Sequence, residues 1–502
     1  MPGVNEALAA YQPQAVFFGG SMAYNNLRWV GTESGTPSYP VWSNDNPGGY
    51  GTGRPDGSVF MPAESDTTIS ASDQWFWKPN YDFRTLADLQ AVYHATVGAN
   101  SNMLLNIAPN ADGIVPPEAM ALYAAFGAWH VACYGSPGAS YEPQPGAVIE
   151  LDVSALASVD RVVAMEDQSG GEQVLAYSVE VQAAGGAWLP AETGQAIGHK
   201  RIHRLAAPVA GAQRVRLNVT ATIGGVDPSS VKWASFAAID GAASKCNGGG
   251  NDDAAETASA SAAAPAPVLE QAPASAQAQA EAQALAAAAL PLPNAPQLAW
   301  QRGEIMALIH FNMATFFENG DPGCTAANWL PADGSGSGNP KSFAPTALNV
   351  SQWVDSMVAI GVDEAVLTAK HGCGFYLWPT QVKLPDGSPY TYHVDTDAYG
   401  DVLAQFRDAT SARGIGHGFY YSLTNNRYLN VYSHQVQPGP LQPGQVNVTQ
   451  QQFEDIAFAS VSELWTNYGA LTEICESAAV LGGGAQPACA HSLPSLFPPP
   501  RL

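Results

Sequence analysis

Ile305-Met-Ala-Leu-Ile-His-Phe-Asn312 is a run of strand length, apolar except for one histidine and a closing asparagine. Its composition and brevity read as a buried strand. Two runs of the same kind follow it, Ala365-Val-Leu-Thr-Ala-Lys-His371 and Gly416-His-Gly-Phe-Tyr-Tyr-Ser422. Helical periodicity fills the intervals, over residues 349–360 and 398–412, and a long helix covers 449–468. A further strand opens at Leu471-Thr-Glu-Ile474 and is expected to stop there. Strands alternating with helices at these distances indicate a parallel sheet, open or closed.

The first part of the chain has the same grammar. Residues 14–20 (QAVFFGG) and 102–108 (NMLLNIA) read as strands, and 86–97 and 118–132 as helices. From 136 to 243 the pattern changes to short alternating segments parted by Gly and Pro, such as AVIELDV, AYSVEVQ and RVRLNVTAT. That spacing predicts an antiparallel β-sandwich. Between Gly248 and Pro293 the composition collapses to Ala, Pro, Gln and Ser. Such a segment buries too little apolar surface to offset the entropy of ordering, so it reads as a disordered linker.

The chain as a whole has 502 residues, with 20 Lys and Arg against 44 Asp and Glu, a formal charge of −24. Nucleic acid and anionic membrane surfaces demand basic patches, so neither is expected as a partner. No apolar run is long enough to span a bilayer, and Met1-Pro-Gly-Val-Asn-Glu6 has no charged or apolar leader region. The six cysteines are scattered, with no CxxC and no metal-ligand spacing, so neither a zinc site nor a disulfide framework is expected. Three Asn-x-Ser/Thr triplets, at Asn218, Asn349 and Asn447, would suit a secreted protein. Twelve Trp and nineteen Tyr in an acidic chain suit sugar stacking as well as core filling.

Several motifs then occur in one family's order. Leu308-Ile-His-Phe-Asn-Met-Ala-Thr-Phe316, Asn328-Trp329, Leu367-Thr-Ala-Lys-His-Gly-Cys-Gly-Phe-Tyr-Leu-Trp378 and Gly418-Phe-Tyr-Tyr-Ser422 resemble the first half of the catalytic barrel of α-L-fucosidases, the family 29 glycoside hydrolases. Arg28-Trp-Val-Gly-Thr-Glu-Ser-Gly35, Trp42-Ser43, Trp75-Phe-Trp77 and Leu104-Leu-Asn-Ile107 resemble its second half. Ala164-Met-Glu-Asp-Gln168 and Ile197-Gly-His-Lys-Arg-Ile202 are similar to the sandwich that follows it. The resemblance implies an α/β fold, a (β/α)8-like barrel supplied as two permuted halves, plus an antiparallel β-sandwich. It divides the chain into a second barrel half (1–135), a sandwich (136–245), the linker (246–295), a first barrel half (296–474) and an unstructured tail (475–502). Two origins account for the inverted order. One is a fragment of a tandem pair cut inside both barrels, which the coincidence of the two cuts favours. The other is a circular permutant, which a closed barrel tolerates because its chain ends can lie close together.

Retaining glycosidases need two carboxyl groups about 5–5.5 Å apart. One attacks the anomeric carbon, and the other protonates the leaving oxygen and then activates water. The resemblance implies Glu33 as the acid/base, with Glu64 as a weaker alternative. Family members continue after the strand matching Thr472-Glu-Ile474 with Trp-x-Asp-Gly, whose Asp is the nucleophile. Here Cys475-Glu-Ser-Ala follows instead, so the nucleophile Asp is absent; Glu476 is the one carboxylate near its place. His310, His371 and Trp329 are implied to hold fucose, with Tyr420 or Tyr421 supplying a phenol. Trp75, Phe76 and Trp378 line the cleft or fill the core. A second histidine that many relatives carry is replaced at Gly372, and Asn328 stands where a Glu commonly precedes the Trp. No metal or other cofactor is required by this chemistry. Fucosylated glycans or glycoproteins are the implied substrates, and a secreted or lysosome- or vacuole-like location the implied compartment. The alternatives are a fucose- or glycan-binding protein without turnover and a non-functional fragment of a tandem fucosidase.

Overall fold

The computed structural model describes residues 2–18, 25–243, 246, 289–317, 324–325, 328–329 and 336–477. They form two compact units, one made of residues 1–54, 59–127 and 293–502, the other of 55–58 and 128–292.

The first unit is a closed barrel of eight parallel strands. Four come from the N-terminal stretch: β1 (Val16–Phe18), β2 (Asn26–Trp29), β5 (Ala63–Thr67) and β6 (Ser101–Ile107). A two-stranded ribbon of β3 (Asn44–Asp45) and β4 (Val59–Phe60) lies between β2 and β5 in sequence. The other four follow residue 304: β15 (Ile305–Ile309), β16 (Glu364–Lys370), β17 (Gly416–Ser422) and β20 (Glu473–Ser477), with a ribbon of β18 (Val431–Tyr432) and β19 (Gln435–Val436) between the last two in sequence. Around the barrel the order is β1-β2-β5-β6-β15-β16-β17-β20.

Two seams close the sheet between segments far apart in sequence. At one, β15 lies on β6 with Ile305 opposite Met103 and Ile309 opposite Ile107. At the other, β20 lies on β1 with Val16 opposite Glu473 and Phe18 opposite Cys475. Gln12, buried beside this second seam, donates to the carbonyls of Trp465 (2.6 Å) and Gly469 (2.9 Å) and accepts from the Leu471 amide (2.8 Å). The strand expected to stop at Ile474 runs on to Ser477, because β1 supplies ladder partners as far as Cys475 and β17 as far as Ser477.

The helix Ala295–Gly303 starts with a reciprocal cap between Asn294 and Gln297. It lies at the N-terminal end of the strands. Its Gln297 donates to the carbonyls of Asn26 (2.8 Å) and Phe60 (3.0 Å), and its Trp300 enters the barrel and donates to Glu473 Oε2 (3.1 Å). Val16, Phe18, Leu27, Leu104, Met306, Leu308, Val366 and Tyr420 pack around Trp300 as the apolar middle of the barrel. These residues alternate along their strands with others facing the surrounding helices, as the two-residue period of a strand dictates.

Two barrel strands, Asn26–Trp29 and Ala63–Thr67, are not foreshadowed by hydrophobic pattern, since Ala-Glu-Ser-Asp-Thr is almost wholly polar. They are strands because neighbours on both sides satisfy their backbones inside a closed sheet. The helix expected over 398–412 is broken at Gly400 into Thr396–Tyr399 and Val402–Ser411.

The second unit is a sandwich of two four-stranded antiparallel sheets. They are built from β7 (Ala139–Tyr141), β8 (Val148–Asp152), β9 (Ser158–Glu166), β10 (Val174–Gln182), β11 (Trp188–Gln195), β12 (Arg201–Ala210), β13 (Arg214–Thr222) and β14 (Trp233–Ile239). The orders are β11-β10-β13-β8 and β12-β9-β14-β7. Val159, Val162, Val179, Val215, Leu217 and Phe236 fill the space between them. Glu166 is buried and accepts the amides of Gly198 (2.8 Å), Gln173 (2.8 Å) and Val174 (3.2 Å), and burial raises its pKa to about 7.

The cysteines do form disulfides, contrary to the reading of their spacing. Cys133 pairs with Cys246 and Cys324 with Cys373; Cys475 is also disulfide-bonded, and no described cysteine is free. The paired residues stand 113 and 49 positions apart, so only the tertiary fold brings them together. The expected linker lies mostly outside the described residues, as does the tail beyond Ser477.

Because both seams are non-covalent sheet pairings, cutting the chain between them should leave the barrel closed. A protease site inserted between Ala274 and Ser275 should yield two fragments that co-elute in native gel filtration and separate in denaturant. Fragments that part without denaturant would show that the seams alone do not hold the halves.

Candidate active site

Barrel enzymes place their chemistry at the C-terminal ends of the strands. At that end His310 follows β15 and is buried, with its Nδ1 2.8 Å from Asn106 Oδ1 at the end of β6. His371 follows β16, its ring centroid 5.8 Å from that of His310. Phe76 stands edge-on to both rings, at 5.0 Å from His310 and 4.9 Å from His371. Trp75 lies 5.2 Å from the His310 ring and donates from Nε1 to Glu33 Oε2 at 3.1 Å. Tyr420, at the inward face of β17, is 5.7 Å from the His371 ring.

One constellation therefore joins Glu33, Trp75, Phe76, His310, His371 and Tyr420. Its members come from both stretches of the chain, so it exists only once the two seams are formed. Burial, with His371 beside it, holds the His310 imidazole well below its usual pKa. Burial, with Lys370 beside it, pushes His371 down to about 3. Both rings are neutral at physiological pH. The Nδ1 of His371 is buried without a hydrogen-bond partner among the described residues.

The remaining expected residues make other contacts. Tyr421 points away from the barrel interior, its hydroxyl 3.1 Å from that of Tyr376. Strand alternation thus separates it from Tyr420. Trp329 is fully buried, packs 5.6 Å from the Tyr392 ring and donates to the Pro443 carbonyl (3.1 Å). Trp378 belongs to the core: it stacks on Tyr376 at 4.1 Å and donates to Glu463 (2.8 Å). Glu476 stands on β20 opposite Tyr421 in the ladder, and its side chain lies outside the described residues.

Glu64 faces the N-terminal half of the barrel interior. It is fully buried, and neither of its carboxyl oxygens has a hydrogen-bond partner among the described residues. Burial first, then Glu473, Asp66 and Glu364, raise its pKa well above the usual carboxyl value. Glu473 is raised by burial and Glu364, and Glu364 by burial to about 7. Three carboxyl groups thus crowd the closed end, where a proton is needed to avoid repulsion.

Two contributors were not anticipated. Asp66, buried and two positions along β5 from Glu64, accepts from Trp29 Nε1 at 2.7 Å. Asn106 links His310 to the Trp75 carbonyl (2.8 Å). The strand period held the signal for both. Asp66 shares a face with Glu64, and Asn106 sits two residues beyond Leu104 on the inward face of its strand. Among the described residues no group of His, Cys, Asp or Glu is arranged to hold a metal ion, and no helix is long and apolar enough to cross a membrane.

The C-terminal mouth of the parallel barrel thus gathers a carboxyl group, two histidines and aromatic rings. The sequence model of the Alpha-L-fucosidase family matches residues 1–135 and 333–474, more than half of the chain. The chain belongs to the α-L-fucosidase family. Alpha-L-fucosidase 1 of Arabidopsis thaliana is 33% identical over 187 residues, covering 36% of this chain and 30% of that protein. Tissue alpha-L-fucosidase of Rattus norvegicus is 29% identical over 124 residues, covering 25% and 23%. The chain thus spans less than a third of the length of these curated relatives. A GH29 fucosidase of Ruminococcus gnavus, solved in complex with fucose, is 23% identical with a TM-score of 0.39, covering 45% of this chain and 52% of that one.

The carboxyl crowding gives a pH signature. A carboxyl whose folded pKa is raised binds more protons folded than unfolded, so its favourable contribution is complete below the ordinary value near 4.5. It is lost as pH climbs toward about 7 for Glu364. The histidines act in the opposite sense: their contribution is complete above 6.5 and is lost as pH falls toward 3 for His371. Glu364→Gln should therefore reduce the fall in melting temperature between pH 5 and pH 8. An unchanged fall would show that Glu364 ionises in the folded barrel as readily as in the unfolded chain.

Proposed function

We propose that the barrel mouth binds a terminal α-L-fucosyl residue of a glycan, and that the site is of the retaining glycosidase type with hydrolysis limited by its nucleophile position. The observation that carries this reading is Trp75, which holds Glu33 by its indole N–H and packs its ring on His310. A proton-transferring carboxyl is thereby oriented beside a pair of neutral imidazoles suited to hydroxyl groups. Family membership supports fucose as the sugar.

In this reading Glu33 protonates the departing glycosidic oxygen and later draws the proton from water. Its place in the mouth, against the buried interior position of Glu64, favours it for that role. His310 and His371 bind sugar hydroxyls, and Tyr420 and Phe76 shape the pocket around them. Where the family has Trp-x-Asp-Gly, this chain has Cys475-Glu-Ser-Ala, so no aspartate follows β20 to form the glycosyl-enzyme bond. Binding does not require that bond and persists without it. The disulfides support an oxidising compartment, in keeping with a secreted or lysosome-like location.

The test pairs calorimetry with L-fucose and release of the aryl group from an aryl α-L-fucoside. The unaltered chain should bind fucose and turn over very slowly. His310→Ala should weaken binding by about 3–10-fold, the worth of one neutral hydrogen bond. Ser477→Asp places an aspartate at the motif position while leaving Cys475 in its disulfide, and should raise turnover by about 100-fold or more. Absence of fucose binding by either chain would reject the reading. Family-like turnover by the unaltered chain, lost in Glu476→Ala, would move the nucleophile to Glu476.

A further inference from the structure

Asn106 is fully buried at the end of β6, and each polar atom of its side chain has a partner. Its Nδ2 lies 2.8 Å from the carbonyl oxygen of Trp75 and 3.4 Å from Thr68 Oγ1. A carbonyl can only accept, so the amide nitrogen must face Trp75; the reversed amide would set two acceptors 2.8 Å apart. Asn106 Oδ1 therefore faces His310 Nδ1, also at 2.8 Å. An amide oxygen carries no proton, so the proton of this bond belongs to His310 Nδ1. In a neutral imidazole the other nitrogen, Nε2, is then a bare lone pair.

We infer that Asn106 is a positioning residue that locks His310 as a hydrogen-bond acceptor, so that this subsite takes a hydroxyl able to donate and refuses a group that can only accept. The tautomer follows from the hydrogen bonds alone; the hydroxyl as ligand rests on the sugar-binding reading above. The ring's neutrality, held by burial and by His371 beside it, keeps Nε2 unprotonated across the physiological range. His371 is not locked in this way, because its Nδ1 has no partner among the described residues, and it is able to serve either donor or acceptor. The two rings thus divide the work: one fixed polarity at His310 and one adaptable polarity 5.8 Å away.

Two measurements on the full chain test the assignment. The first is the 15N resonance pattern of His310, identified by its loss in His310→Gln. The unaltered chain should show a protonated Nδ1 and an unprotonated Nε2. Asn106→Leu should give a mixed or reversed tautomer. Asn106→Gln, which keeps an amide able to donate toward the Trp75 carbonyl and accept from Nδ1, should retain the original tautomer and guards against a folding failure of the leucine variant. The second is calorimetry with monodeoxyfluoro-L-fucoses, one for each ring hydroxyl, since fluorine accepts weakly and never donates. At least one analogue should bind the unaltered chain about tenfold more weakly than L-fucose. Asn106→Leu should shrink that gap to about threefold or less, and Asn106→Gln should keep it. A proton on Nε2 in the unaltered chain, or an unchanged tautomer in Asn106→Leu, overturns the proposal. If the unaltered chain binds neither fucose nor any analogue, the sugar reading falls, while the resonance pattern still decides the tautomer.

Discussion

A parallel sheet with free edges exposes backbone groups that must find partners, and in this protein each half of the barrel has two such edges. Closure through β6·β15 and β1·β20 removes all four at once. The rest of the structure depends on this pairing. The polar strand Ala63–Thr67 is stable only within a complete ring of neighbours, and Trp300 has an interior to fill only when the ring is closed. Gln12 shows how local the requirement becomes. One buried amide satisfies two carbonyls and one N–H on the partner segment, so its removal would orphan groups costing about 1–3 kcal/mol each.

Closure also creates two contrasting environments along the barrel axis. At the N-terminal end Glu64, Glu364 and Glu473 are packed with too few donors, and burial drives their pKa values upward. At the C-terminal end His310 and His371 are held neutral by the same withdrawal of water. The common cause is desolvation, which penalises whichever form is charged. The acidic end retains protons, while at the other end the two imidazoles present lone pairs and N–H groups without charge.

The mouth is a composite. Glu33, Trp75, Phe76 and Asn106 come from the N-terminal stretch, and His310, His371 and Tyr420 from the C-terminal one. Trp75 and Asn106 bridge them, the first through Glu33 and His310, the second through the Trp75 carbonyl and His310. A site divided in this way tolerates an inverted chain order, because strand neighbours rather than sequence neighbours define it.

The sequence by itself determined the strand–helix alternation, the sandwich and the family, since apolar periodicity and short motifs are local properties. Glu33, His310 and His371 were candidates for the same reason: each stands in a run of residues that follows a family pattern. Tertiary structure alone decided which expected residues meet. It turned Tyr420 inward and Tyr421 outward, buried Trp329 against Tyr392, and placed Glu64 among the carboxyl groups of the closed end. It also paired Cys133 with Cys246 and Cys324 with Cys373, which no spacing rule anticipates at separations of 113 and 49 residues. Asp66 and Asn106 went unread because a polar residue on a strand has no one-dimensional signature of its surroundings. What each does is set by groups brought near it from elsewhere in the chain, and only closure of the barrel brings them there.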